Sequence, residues 1–184
     1  MQMLQRDLYQ DLRAEATSTR EKLAEMLRPI DPAELNEHPE HDGWSIGQVL
    51  EHLCVADERY ENPLAELLRN RRPDAGAPAR EWKSSFIGGM IAGSLLKPRK
   101  LKSPVVFRPG PTPRNGVVEK FLARELEFVN VMDNASSHDW KALRIGSPAL
   151  PGWAPKMNVG DGFRIHVIHL TRHAGQVGRL AGKL

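Results

Sequence analysis

The sequence predicts an all-α protein, an up-and-down four-helix bundle with a long crossover connection. Apolar residues recur at helical spacing in four separate segments, and a proline-rich segment separates the second from the third. No clear run of alternating apolar and polar residues indicates a strand, so four helices packed on one another are favoured over an α/β domain. The 184 residues are the size of one ordinary domain, and we expect residues 1–184 to form a single one.

The first two helices are marked by apolar stripes and by a start signal. The first helix carries a stripe at helical spacing that ends before Pro29: Leu4, Leu8, Leu12, Thr19, Leu23 and Leu27. In the second, Ser45 and Gln48 fit a capping box, and Trp44 with Val49 fits a hydrophobic staple around it. The acidic residues beside the second stripe are expected on its solvent side: Glu51, Asp57, Glu58 and Glu61.

Residues 71–116, called the crossover below, are the least regular part of the chain. They hold seven prolines and a Gly88–Gly89 pair, which discourage any long element. Within them, FIGGMIAGSLL predicts a short helix that serves as core or lid, because eleven residues are too few to span a membrane. A basic run follows, which suits either an anionic ligand or a solvated turn: Lys97, Arg99, Lys100 and Lys102.

The third helix is predicted to begin at Thr112 and Pro113, a plausible N-cap and first-turn pair, and to end near Asn134. The loop SPALPGWAPKMNVGDG follows, and Asp161 is the predicted N-cap of the last helix.

Composition excludes several classes of protein. A net charge of +3 spread along the chain does not indicate nucleic-acid binding, and no aromatic residues interleave the basic run. The single cysteine, Cys54, excludes an intrachain disulfide and favours a reducing compartment, so we expect a cytoplasmic protein. The first residues lack the apolar core of a signal peptide, and no segment approaches the ~20 apolar residues of a membrane span.

Three of the seven histidines lie close together in the last helix, in FRIHVIHLTRHAGQ. His169 and His173 are four residues apart, so their rings share one face about 6 Å apart along the axis and can chelate one metal ion. His52, beside the apolar stripe of the second helix, is the candidate third ligand. His166 could replace a ligand, hydrogen-bond one or line the pocket. The residue after His169 is Leu170, so the HExxH pattern of zinc proteases is missing.

Other candidate groups have ordinary explanations as well. Cys54 is turned away from His52 on the helix and is expected to pack in the core. Glu125, midway along the third helix, is either a proton shuttle for the site or an exposed glutamate. The remaining histidines are expected to be solvated or capping residues: His38, His41 and His138.

The chain resembles the DinB-like superfamily in two motifs, DGWSIGQVLEHL and HVIHLTRHAGQVGRL. Members of that superfamily are damage-inducible four-helix-bundle proteins described as metal-dependent enzymes. The loop SPALPG before the last helix also fits. The resemblance implies a histidine triad at His52, His169 and His173, and a homodimer. Characterised branches of the family use a low-molecular-weight thiol for transfer or isomerisation, although many members have no demonstrated reaction.

Together these observations predict a metal-dependent enzyme acting on a small molecule. Three neutral imidazoles suit zinc or nickel first, and iron or cobalt next, and they leave a coordination position open. Hydrolysis and transfer of a small thiol both fit such a site. The pocket is expected to be roofed by the crossover and bounded by Trp44 and Trp153. The alternative is a non-catalytic stress-response or binding module with a structural or vacant metal site.

Overall fold

A computed structural model describes residues 2–39, 43–98 and 102–182, with the backbone alone for residues 61 and 62. Its helices are α1 (Gln5–Leu27), α2 (Ile46–Arg69), the short α3 (Phe86–Leu95), α4 (Val117–Ala135) and α5 (Val159–Ala181). The helices α1 and α2 each pack against both α4 and α5, and α3 lies against α5. This confirms the predicted all-α bundle. Across the described residues, none of the helices has the length and apolar character needed to cross a membrane.

The stripe predicted for α1 forms the core side of that helix. Leu8, Leu12, Ala16, Leu23 and Leu27 are all buried, at spacings that keep them on one face. The exposed positions between them are mostly charged, so the helix is amphipathic along its whole length.

The predicted start of α2 is confirmed, and its capping residue Gln48 also hydrogen-bonds to the crossover. The Ser45 hydroxyl accepts a hydrogen bond from the Gln48 amide, and the Gln48 side-chain oxygen accepts one from the Ser45 amide, both at 3.2 Å. The Gln48 side-chain NH₂ donates to the carbonyls of Gly110 and Pro111, at 3.3 Å each. One residue therefore fixes both the helix start and the end of the crossover.

Two acidic residues predicted on the solvent side of α2 are buried instead. Glu51 is 8% exposed and pairs with Arg114 of the crossover, and Asp57 is 5% exposed and faces α5. Each is tolerated in the interior because another element supplies a charged or hydrogen-bonding partner. Glu58 is partly buried and pairs with Arg114 and Arg124, while the side chain of Glu61 lies outside the described residues.

The crossover contains the predicted helix, α3, and a strand that the sequence did not indicate. Strand β1 (Gln2–Leu4) pairs antiparallel with β2 (Glu81–Lys83), and β3 (Arg144–Ile145) pairs with β4 (Met157–Asn158). Strands of two or three residues are too short for alternation to appear in a sequence. The first pair places Trp82 in the core, where its indole donates to Asn158 at 3.0 Å.

The predicted starts of the last two long helices were wrong by a few residues. Thr112 and Pro113 precede α4, whose N-cap is Gly116 in the left-handed conformation at φ 65°. The intervening turn lets Arg114 reach α2. The N-cap of α5 is Asn158, whose side chain accepts from the Asp161 amide at 2.8 Å. Asp161 lies in the first turn and instead binds Ser84 and Ser85 of the crossover.

The crossover sits unusually close to the start of α5 at two glycines. A Cβ on Gly160 would lie 2.2 Å from the Trp82 indole nitrogen, and one on Gly88 would lie 2.0 Å from the Asp161 carboxyl carbon. Both positions need glycine for packing, because no side chain fits at these distances.

Candidate metal centre

Three imidazoles meet between α2 and α5, and we call them the imidazole cluster: His52, His169 and His173. The Nε2 atoms of His52 and His169 are 2.9 Å apart, and the three ring centroids are 4.6 to 4.9 Å from one another. The spacing of four residues on α5 puts two rings on one face, and the packing of α2 against α5 brings the third opposite. The sequence-predicted set is therefore brought together.

Two of these rings are oriented by groups that can only accept a hydrogen bond. His52 Nδ1 donates to the carbonyl of Phe107 at 2.6 Å, and His173 Nδ1 donates to the Gln176 side-chain oxygen at 2.9 Å. In the neutral ring the proton then sits on Nδ1, so Nε2 keeps its lone pair. Such partners hold metal-binding histidines in the correct tautomer and orientation.

The imidazole cluster is held neutral by its surroundings. Burial lowers the pKa of His52, and burial together with the neighbouring histidines lowers the pKa of His169 well below its ordinary value. Burial and His52 lower the pKa of His173 to about 3. Neutral imidazole is the form that binds metal, so protons compete weakly here at pH 7.

The donor set fits a borderline divalent transition ion. Nitrogen ligands lie about 2.0–2.1 Å from zinc, so two of them at the tetrahedral angle around one ion are about 3.3 Å apart. The Nε2 atoms of His52 and His169, at 2.9 Å, are slightly closer together than that. One ligand atom from each histidine lies within 4.8 Å of the others. Zinc, nickel, iron and cobalt all accept imidazole nitrogen.

A second group of polar side chains lies beside the first, and we call it the carboxylate cluster: Asp57, Glu125 and His166. His166 Nδ1 is 3.1 Å from Asp57 on α2, and His166 Nε2 is 3.0 Å from Glu125 on α4. The ring of Phe128 stacks on His166 with centroids 3.4 Å apart. Glu125 is only 1% exposed, so the interpretation of it as a solvated glutamate is wrong.

The carboxylate cluster carries charge. Burial opposes a charged His166, but the attraction of Glu125 and Asp57 outweighs it and raises the histidine pKa to about 10. Burial raises the pKa of Asp57 to about 6, although His166 acts in the opposite direction. The raised pKa favours the imidazolium form of His166, which has an acidic side chain at each ring nitrogen.

A cavity of about 40 Å³ is lined by residues of both clusters. His169 of the first and Asp57 and His166 of the second line it, and Tyr60 and apolar side chains complete the wall. The volume suits one or two water molecules. Polar groups of both clusters thus reach one shared space.

Other residues singled out in the sequence lie elsewhere. Cys54 is fully buried, and burial raises the pKa of its thiol to about 12, as suits a packing residue. His38 is exposed and its ring bonds the carbonyl of Gly43, whereas His138 is 8% exposed and contacts the carbonyl of Arg71. The prediction that His138 is solvated was wrong. His41 lies outside the described residues.

The expected walls of the pocket are only partly present. The ring of Trp44 lies 4.9 Å from that of His52, and the crossover reaches the site through Phe107. Trp153 is 85% exposed and does not line the cavity. In the basic run, Lys97 and Lys102 are exposed, and residues 99 and 100 lie outside the described residues.

Two groups of the candidate site were not identified from the sequence, the Asp57 carboxylate and the Phe107 carbonyl. Asp57 was assigned to solvent, although it follows Leu53 by four residues and therefore continues the apolar stripe. A polar residue at core spacing is the signal that could have identified it. The Phe107 carbonyl carries no such signal, because every residue has one.

The bundle and its imidazole cluster define an all-α protein with a candidate transition-metal centre between two helices. The sequence matches the family model of the DinB superfamily over residues 15–177, so the chain belongs to that superfamily. No curated protein and no solved structure matches the chain significantly.

Proposed function

We propose that the chain is a metal-dependent enzyme in which His52, His169 and His173 hold one divalent transition ion. The observation that carries this proposal is the convergence of three neutral imidazoles, two of them with Nδ1 fixed by Phe107 and Gln176. Zinc or nickel is our first assignment, with iron and cobalt next. Three protein ligands leave a coordination position for water or substrate.

A bound ion of this kind supplies Lewis-acid chemistry, polarising a substrate oxygen or lowering the pKa of a bound water or thiol. The chain's own contribution is to orient the ligands and to hold a proton nearby. His166 keeps that proton between Asp57 and Glu125, at the edge of the cavity shared with His169. We assign His166 and Glu125 as the candidate proton-transfer pair.

The proposed reactions are hydrolysis of a small molecule and transfer of a low-molecular-weight thiol to an electrophile. The support for thiol transfer is the family resemblance, and the support for hydrolysis is the open position beside a proton-holding histidine. Metal-loaded protein is to be assayed against panels of esters, amides and thiol–electrophile pairs. His166→Gln should reduce turnover more than it reduces the zinc or nickel content of the imidazole cluster, and no turnover on either panel would contradict the catalytic proposal.

One observation favours the alternative of a non-catalytic binding or stress-response module. The cavity at His169 holds about 40 Å³, which is too small for a substrate larger than a few atoms. Under this alternative the metal site is structural or vacant. Adding the ester, amide and thiol panels to protein incubated with metal should then leave its melting temperature unchanged. A shift in melting temperature with any thiol or ester would favour the enzyme.

We further propose a cytoplasmic homodimer built from one domain. Dimerisation is supported by the family resemblance and by apolar side chains on the surface of α3, where Phe86 and Met90 are 85% and 53% exposed. Light scattering at micromolar concentration should give twice the monomer mass. A monomer mass under those conditions would contradict the dimer.

A further inference from the structure

The carboxylate cluster leaves two buried oxygen atoms unsatisfied. His166 bonds one oxygen of each carboxylate, through Nδ1 to Asp57 Oδ1 and through Nε2 to Glu125 Oε2. Among the described residues, Asp57 Oδ2 and Glu125 Oε1 have no hydrogen-bond partner, although the side chains are 5% and 1% exposed. Buried carboxylate oxygens are normally paired, so these atoms indicate a missing partner.

The charge of the cluster indicates what that partner is. Two acidic side chains converge on one imidazole in this buried site, and their unpaired oxygen atoms are acceptors that a cation would satisfy. A divalent cation held by Asp57, Glu125 and His166 would place its positive charge against both acidic side chains. The cation can take the free oxygen of each acidic side chain as well as the one bonded to His166.

We propose that Asp57, Glu125 and His166 form a second metal site, distinct from the imidazole cluster, for a divalent cation that prefers oxygen ligands. One ligand atom from each residue lies within 4.8 Å of the others, as one ion requires. Carboxylates suit manganese better than an all-imidazole set does, and imidazole binds iron and zinc as well. The adjoining cavity supplies water to complete the coordination sphere.

The two sites lie close enough to share that cavity. His166 and His169 are three residues apart on α5, and His52 and Asp57 are five apart on α2, so the sites are separated by about 5 to 8 Å along the helices. The side chains of three helices thus make two adjacent sites, one of nitrogen donors and one mainly of oxygen donors.

The test loads the full chain with one equivalent of zinc and then titrates Mn²⁺, reading free Mn²⁺ by its aqueous electron paramagnetic resonance signal. Zinc binds imidazole more tightly than manganese, so it remains at the first site. We expect one further equivalent of Mn²⁺ to bind to the wild type. Asp57→Asn and Glu125→Gln should leave Mn²⁺ free while retaining zinc, which separates failure of this site from failure of the first.

The matched control is Asp161→Asn, which alters a buried carboxylate whose oxygens are already bonded to Ser84 and Ser85. It should bind Mn²⁺ like the wild type, and circular dichroism verifies the fold of each variant. As a measurement on unaltered protein, electron spin echo modulation should show one imidazole nitrogen coupled to the bound Mn²⁺. Free Mn²⁺ in the zinc-loaded wild type, undiminished binding in both variants, or bound Mn²⁺ without nitrogen coupling would overturn the second site.

Discussion

The imidazole cluster and the carboxylate cluster lie side by side on α2 and α5, yet the histidines in them take opposite charge states. Burial and neighbouring imidazoles keep His169 and His173 neutral. His166, one turn away, meets Asp57 and also Glu125 from α4, and stays protonated. The scaffold is the same for both, so the chemistry of each histidine is set by what neighbouring helices place against it.

The largest expected effect is on metal content. His169→Ala removes a central ligand of the imidazole cluster, so stoichiometric binding of zinc or nickel there should be lost. Elemental analysis after dialysis measures it, with exposed His38→Ala as the matched control. Because the carboxylate cluster remains, manganese binding should survive. Unchanged zinc or nickel content in His169→Ala would show that the ligand assignment is wrong.

The next effect concerns the stability of the metal-free protein. His166→Leu removes the protonated ring that pairs with Asp57 and Glu125. The two buried acidic side chains are then left without a positive partner, and the free energy of unfolding should fall by about 3 kcal/mol. His173→Leu removes a neutral ring from the other cluster and should cost less than about 1 kcal/mol, since the new side chain is apolar. Urea unfolding in the presence of a chelator compares the two. Equal losses would mean that the clusters do not differ in charge as described.

The two clusters should also respond to pH in opposite directions. The pKa of His166 is raised to about 10, so its contribution to stability is complete below the unfolded value near 6.5 and is lost as pH rises toward 10. The slope is at most about 1.4 kcal/mol per pH unit. For His173 the pKa is lowered to about 3, so stability falls as pH drops below 6.5.

Urea unfolding of the metal-free wild type at several pH values measures the alkaline slope. The triple variant Asp57→Asn, Glu125→Gln, His166→Gln lacks the titrating group and should lose that slope, while the lysines and tyrosines common to both proteins cancel in the comparison. Identical slopes in the two proteins would contradict a protonated His166.

The smallest effect should come from a residue that orients a ligand without binding metal. Gln176→Ala removes the acceptor of His173 Nδ1, and loss of such a partner typically weakens metal binding about tenfold. Competition with a chromogenic chelator measures the affinity. The exposed Gln10→Ala provides the control, and an affinity equal to wild type in Gln176→Ala would show that this contact does not orient the ring.

The long helices and the pairing of two rings on one face of α5 could be predicted because they depend on local spacing. The apolar stripes, the Ser45–Gln48 capping box and the pair His169 and His173 are all periodic features within one segment. The assignment of His52 required only that the bundle bring a second helix opposite. The structure places that ring against the pair, while its role as a ligand stays a prediction.

The carboxylate cluster could not be predicted because it depends on three helices at once. Spacing along α2 cannot reveal that Asp57 meets Glu125 of α4 and His166 of α5. The N-cap errors at Thr112 and Asp161 have a similar cause, because the crossover recruits Arg114, Ser84 and Ser85 into long-range contacts that displace the local signals. Short strands such as β1 and β2 are likewise fixed by their partner.

The hydrogen bond from His52 to the carbonyl of Phe107 has an evolutionary consequence. The acceptor is a main-chain carbonyl, so its position depends on the backbone path of the crossover. It does not depend on which amino acid stands at residue 107. Substitutions at residue 107 that preserve this path leave the acceptor in place, so the local sequence is free to drift. An insertion or deletion in the crossover would instead change the ring's environment without altering any histidine. Loop length alone can therefore alter the surroundings of His52 while all three histidines are kept.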